Sequence, residues 1–136
     1  MIRNNLIYDC KEIAGIAFGG YDHERGSASA IKIYNNTLVN NLVHILVQEH
    51  AQVPSNEIVN NILYQGEPYE GDLTAIEQTM NFIGDPIFVD EETGDFHLST
   101  QSPARNQGIV NQWGGTADLD GKQRVENQKI HLGAFQ

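Results

Sequence analysis

The chain carries one cysteine, Cys10, so it can form neither an internal disulfide nor a cysteine-based zinc site. Cys10 follows an apolar run, and a buried or half-buried thiol is expected there rather than a nucleophile. Positive charge is scarce too: 8 Lys and Arg stand against 18 Asp and Glu, a net charge of -10. Phosphate contacts need clustered cations, so nucleic acid is excluded as a partner, and broad attraction of acidic polysaccharides is disfavoured. No apolar run approaches the roughly 18 residues that span a membrane. The longest, 42–47, is broken by His44. No basic segment leads into a hydrophobic stretch, so no signal peptide is visible and membrane association is not expected. With 136 residues, 40% of them hydrophobic, the chain has room for one domain and one core.

What is plentiful is asparagine in pairs. Asn4-Asn5-Leu6-Ile7-Tyr8, Asn35-Asn36-Thr37-Leu38-Val39 and Asn60-Asn61-Ile62-Leu63-Tyr64 share one pattern, each preceded by an isoleucine: Ile2, Ile33 and Ile58. A weaker fourth copy runs from Ile76 through Asn81 to Ile83, and successive copies lie 31, 25 and 20 positions apart. A period of this length, joining a short apolar strand to a polar turn, is too short for paired helices and suits one coil of a parallel β-helix. Stacked coils place equivalent residues about 4.8 Å apart. Asparagine at a recurrent corner then has a physical reason: its amide bonds the copies above and below, and it tolerates left-handed backbone. The alternative is that these pairs are turn signals in an antiparallel sandwich. Residues 73–83 resemble a helix locally, but the repeat assigns them to a coil.

The first copy begins at the chain start with nothing to close its hydrophobic cross-section. Either these are the last coils of a longer β-helix, or the open N-terminal coil meets a second copy, giving a homo-oligomer, most simply a dimer. Residues 15–20 read as a further strand of the first coil. They lead into Tyr21, Asp22, His23, Glu24 and Arg25, the densest mixture of reactive side chains in the protein. One reading is a substrate-contact loop, with Tyr21 as a stacking platform for a sugar ring and Lys32 lining the same groove. The other is a solvated turn closed by Asp22 and Arg25. His44 is expected to be a hydrogen-bonded core residue, and its pairing with His50 as metal ligands is weakly supported. Residues 66–72 read as a loop by their Gly and Pro content. Its carboxylates Glu67, Glu70 and Asp72 leave calcium as the weaker alternative to a solvated acidic turn. No other cofactor is expected.

From Gly84 the pattern changes. Gly84-Asp85-Pro86-Ile87-Phe88-Val89-Asp90, Gly94-Asp95-Phe96-His97-Leu98, Ser102-Pro103-Ala104-Arg105-Asn106-Gln107-Gly108, Asp118-Leu119-Asp120-Gly121-Lys122-Gln123-Arg124 and Leu132-Gly133-Ala134-Phe135-Gln136 follow in order over about 50 residues. This series, with the asparagine repeats before it, resembles the end of right-handed parallel β-helix proteins of the pectin-lyase-like superfamily. The expected fold is therefore a single all-β domain, a short right-handed parallel β-helix of three to four coils (1–83) with an irregular C-terminal cap (84–136). Phe88, Phe96, Leu98 and Trp113 are large enough to plug the open end of the solenoid. Arg124 is expected to hold the carboxylates of the Asp118-to-Gly121 turn. That turn also begins like a calcium loop, but Lys122 and Arg124 occupy later ligand positions.

The resemblance implies a family that is mostly extracellular and includes polysaccharide lyases and glycoside hydrolases, along with proteins of no known chemistry. A lyase requires a base beside the uronate carboxyl and a cation to neutralise it. A hydrolase requires two carboxyls across the glycosidic oxygen. Neither motif is identifiable in the sequence. The leading expectation is a non-catalytic carbohydrate-interacting or structural module that self-associates through its N-terminal coil, with a polysaccharide as partner. The alternative is a fragment or oligomer of a carbohydrate-active enzyme.

Overall fold

An isoleucine stands beside a charged residue before each of the first three asparagine pairs, whereas the three residues after each pair are mostly apolar, so the first run reads as a strand with one buried face and the second as a strand with two. The computed structural model describes residues 1–20, 22, 24, 27–51 and 55–136. Within them lie strands β1 (Ile2–Arg3), β2 (Leu6–Tyr8), β3 (Ile16–Phe18), β4 (Lys32–Tyr34), β5 (Thr37–Val39), β6 (Val43–Val47), β7 (Asn56–Val59), β8 (Ile62–Tyr64), β9 (Glu67–Gly71), β10 (Ile76–Thr79) and β11 (Phe82–Ile83). A hairpin of β12 (Phe88–Asp90) and β13 (Asp95–Leu98) follows. The first eleven strands form three parallel sheets, β1-β4-β7-β10, β2-β5-β8-β11 and β3-β6-β9, which the chain visits in rotation. This is an all-β fold of stacked parallel sheets, consistent with a β-solenoid. The helical content of the described residues is one 3-10 turn at Glu49–Ala51, and no helix among them is long and apolar enough to cross a membrane.

Register turns the sequence repeat into columns. Ile2, Ile33, Ile58 and Gln78 stack in the first sheet, Ile7, Leu38, Leu63 and Ile83 in the second, and Ile16, Ile45 and Tyr69 in the third. In the middle of the stack Ile33, Leu38, Ile45 and Ile58 are wholly buried, each worth roughly 1.5–3 kcal/mol of burial. At the two ends the columns open: Ile2 and Ile7 are only half-buried, and Ile83 is 57% exposed.

The corner between the first two sheets is an asparagine ladder. Asn5 Nδ2 donates to Asn36 Oδ1 at 2.9 Å, Asn36 Nδ2 to Asn61 Oδ1 at 3.0 Å, and Asn61 Nδ2 to Asn81 Oδ1 at 2.9 Å. The backbone N–H of Asn5, Asn36 and Asn61 bonds the same three oxygens. The preceding asparagines Asn4, Asn35 and Asn60 take φ of 54°, 53° and 60°, and in the fourth copy Met80 takes 53°. One member of each pair thus makes the left-handed corner while the other satisfies buried backbone. Residues 73–83 are β10 and β11, as the repeat requires.

Three expectations need correction. Residues 67–71 form strand β9 and not a loop, pairing in parallel with β6. Pro68 is tolerated because β9 lies at the edge of its sheet, where a missing N–H removes no ladder bond. Tyr69 turns inward as the partner of Ile45, so Glu67 and Glu70 fall on opposite sides of the strand and do not form a common cradle.

The second correction concerns the segment 84–136, which does not plug the end of the stack. It runs along the outside of the second sheet. Phe96 packs with Val39, Phe135, Leu6 and Tyr64, and Leu98 with Ile62, Ala104 and Leu132. The interior cluster around Leu38 and Leu63 is separate. Apart from Thr37, the outward positions of β2, β5 and β8 are themselves apolar, so this sheet has two faces to bury and the segment covers the outer one. Gly133, at φ 81°, makes the close approach: a Cβ there would lie 2.5 Å from Thr37 Oγ1. Backbone bonds from Gly133 to Asn60 O (2.8 Å) and from Ala134 to Thr37 Oγ1 (2.9 Å) fasten it.

The third correction is Arg124. Its buried guanidinium donates to Ala134 O at 3.0 Å, to Phe135 O at 3.4 Å and to Asn4 Oδ1. The turn it was expected to hold is closed without it, since Asp118 accepts from Lys122 N at 2.7 Å and from Gln136 N at 2.7 Å.

Candidate binding face

The outer face of the first sheet is the candidate site. Because Ile2, Ile33 and Ile58 point inward, their neighbours point out. One outward column is Lys32, Glu57 and Glu77, and the next is Arg3, Tyr34, Val59 and Thr79. Neighbours in a column are about 4.8 Å apart, so a charge of one sign directly over its opposite is favourable.

Lys32 Nζ ion-pairs with Glu57 and donates to Ser55 O at 3.1 Å. Tyr34 donates its hydroxyl to the other oxygen of Glu57. Lys32 and then Tyr34 hold the Glu57 carboxyl below its ordinary value, with burial opposing them. Burial, then Glu57 and Glu77, push the Tyr34 phenol up, so it stays a donor. Glu77, exposed one strand along, has no such clamp among the described residues. The two carboxylates therefore differ in kind: Glu57 is a fixed anion, and Glu77 is free to meet a ligand.

The aromatic wall comes from the C-terminal segment. Asn111 Oδ1 accepts from the backbone N–H of Trp113 (2.8 Å) and of Gly114 (3.0 Å), forming the turn that presents the indole. Arg3 Nη1 bonds Trp113 O at 3.1 Å, and Lys32 Nζ lies 5.8 Å from the ring centroid, within cation–π range. Trp113 thus belongs to this face and not to a core plug. The face combines a half-buried indole, two carboxylates and two cations, with the buried Tyr34 phenol committed to Glu57, which is chemistry suited to a hydroxyl-rich ligand with an apolar face.

Of the residues proposed from the sequence, Tyr21, His23 and Arg25 lie outside the described residues. Asp22 is half-buried and accepts from the backbone N–H of exposed Glu24 at 3.1 Å. Lys32 joins the face through Glu57 and Trp113. Arg3, Tyr34, Glu57, Glu77 and Trp113 were missed. The first four were legible, since each flanks an inward residue of the repeat, whereas nothing near Trp113 in sequence announces its place.

His44 is fully buried, with Nδ1 3.1 Å from Asn41 Nδ2, as expected of a core histidine. Burial lowers its pKa to about 4. A second cluster centres on His97, whose Nδ1 lies 2.6 Å from Asp95 and whose Nε2 lies 2.7 Å from Asp120. Asp120 and Asp95 raise its pKa. Each ring nitrogen faces a carboxylate, so the ring clamps β13 to the turn at Asp120. No group of three His, Cys, Asp or Glu side chains among the described residues is placed to hold a metal ion.

Comparison with family models, with curated proteins and with solved structures gives no match.

Proposed function

We propose that the chain is a right-handed parallel β-helix of three to four coils, of pectin-lyase-like type, acting as a non-catalytic carbohydrate-interacting module that self-associates through its N-terminal coil. The observation that carries the binding reading is the outer face of the first sheet, where Trp113 lies beside the hydrogen-bonding column Lys32, Glu57 and Glu77. An indole covers the apolar face of a pyranose ring, while the exposed Glu77 carboxylate accepts from its hydroxyls. The face carries both charge signs in near balance, which favours a neutral glycan over a polyuronate. Titration calorimetry against neutral and acidic oligosaccharides tests this. Neutral glycans should bind, and Trp113→Ala should abolish binding without unfolding the chain. Equal binding by Trp113→Ala removes the face from the proposal.

The pairing of Glu57 with Glu77 supports a second reading, a glycoside hydrolase. Glu57 and Glu77 are register partners on adjacent strands, whose backbones lie about 4.8 Å apart, while the carboxyls of retaining enzymes are separated by roughly 5–5.5 Å. In that reading Glu57, held by Lys32 and Tyr34, is the fixed carboxylate, and Glu77 is the carboxyl that reaches the ligand. Release of reducing sugar that is lost in Glu77→Gln would establish this reading over the non-catalytic one.

A further inference from the structure

The far end of the stack is as open as its beginning. β9, β10 and β11 each pair on one side only, as do β1, β2 and β3. The chain leaves β11 sideways at Gly84 and packs along the second sheet, so Ile83 is 57% and Met80 53% exposed. Two unpaired edges on one molecule raise the question of what each fits.

The asparagine ladder answers it, because the ladder has a direction. At every step the backbone N–H and Nδ2 of one asparagine donate to Oδ1 of the next in sequence. The series therefore ends in an acceptor at the N-terminal side and a donor at the other. Among the described residues Asn5 Oδ1 receives no bond and the Asn81 backbone N–H has no acceptor. Two N-terminal ends would bring acceptor to acceptor. Two far ends would bring donor to donor. Only an N-terminal end on a far end joins donor to acceptor, in the parallel sense all three sheets already have.

We infer that the far end, β10 and β11 with Asn81, is a docking surface for the N-terminal strands β1 and β2 of a second copy, head to tail. This rests on the self-association reading above and changes its geometry, from a closed dimer to an open-ended series. In this register the second copy's Asn5 continues the ladder over Asn81. Its Ile7 covers Ile83, and its Arg3 lies over Thr79, diagonal to Glu77. The third sheet does not pair: the chain departs before supplying a strand above β9, so the junction joins two sheets and leaves one strand position vacant.

The test uses the register. In a Cys10→Ser background, Arg3→Cys and Thr79→Cys lie on the outer face at opposite ends, and stacking puts them one strand spacing apart, about 4.8 Å and within disulfide range. Head-to-tail docking predicts that a mixture of the two single variants oxidises to a 3–79 linked pair, and that a chain carrying both gives a series of linked multimers. Light scattering of the unmodified chain should show mass rising with concentration beyond two chains. Ile83→Lys, at an exposed position, should stop that rise while leaving the circular dichroism spectrum unchanged. If Arg3→Cys links only to itself and the mass stops at two, the head-to-tail geometry is overturned while N-terminal self-association stands. A single-chain mass at every concentration overturns both.

Discussion

Leu63 in the stack and Leu132 in the C-terminal segment are buried to nearly the same degree, 2% and 3% exposed, yet their neighbourhoods are built differently. Leu63 has its equivalents Leu38 and Ile83 one tier to either side, set by the same backbone register. Around Leu132 each contact is made once, by residues from Ile62, Leu98 and Ala104 that share no period. The stack is held by repetition, while the segment is held by attachments that differ from one to the next, among them Arg124 to Asn4, Gly133 to Asn60, and Ala134 to Thr37. Burial alone does not predict how damage spreads.

The largest effects should separate the two regions. Leu63→Ala empties the centre of a column and is expected to cost about 3–5 kcal/mol, lowering the urea midpoint of the whole chain. Leu132→Ala should cost about 2–3 kcal/mol, and limited proteolysis should cut within 84–136 first while 1–83 survives. Cleavage spread evenly over both variants would show that the segment and the stack unfold as one unit.

Within the stack, position along the ladder should matter more than residue type. Asn61→Leu strands the Asn36 N–H and Nδ2 in a buried site, and about 3 kcal/mol of stability should disappear. Asn5→Leu, at the half-buried end, strands no donor below it and should cost under about 1 kcal/mol. Equal losses in chemical denaturation would mean that the ladder contributes nothing beyond local turn geometry.

Titration offers a finer contrast. Burial lowers the pKa of His44, in the stack, to about 4, and burial with Arg105 and Arg124 lowers that of His131, in the segment, also to about 4. A folded pKa below the unfolded value means that the unfolded chain binds the proton first, so stability falls as pH drops from about 6.5 to 4, by a few kcal/mol. His44→Gln and His131→Gln should each flatten part of that fall. His97 runs the other way: its pKa is raised by Asp120 and Asp95, so its contribution is full below about 6.5 and fades as pH rises through its folded value. About a third of its side chain is exposed, which limits the effect to under about 1 kcal/mol. Stability curves for His97→Gln should differ from the parent only on the acid side.

Much of the stack was legible because a solenoid writes its tertiary contacts into its period. The spacing of Asn5, Asn36, Asn61 and Asn81 gave the strand register directly, and the paired asparagines gave both the corner and the ladder. Strand β9 was obscured by Gly66, Pro68 and Gly71, which read as a loop until an edge position makes the proline harmless. The candidate face was half legible: Glu57 and Tyr34 follow from alternation about Ile58 and Ile33, but Trp113 reaches Lys32 from a segment about 80 residues away that shares no period with the stack.

What the sequence determined by itself is therefore the inside of the stack, where one residue's neighbours are its own equivalents one period away. Where the segment 84–136 goes was decided only in three dimensions. Its Phe88, Phe96 and Leu98 are equally apt for an open end or an apolar outer face, and local pattern cannot distinguish two hydrophobic surfaces. The outward Leu6, Val39, Ile62 and Tyr64 of the second sheet offer the longer one, so the segment lies along the side. That placement carries Trp113 to Lys32 and leaves the far end of the stack open.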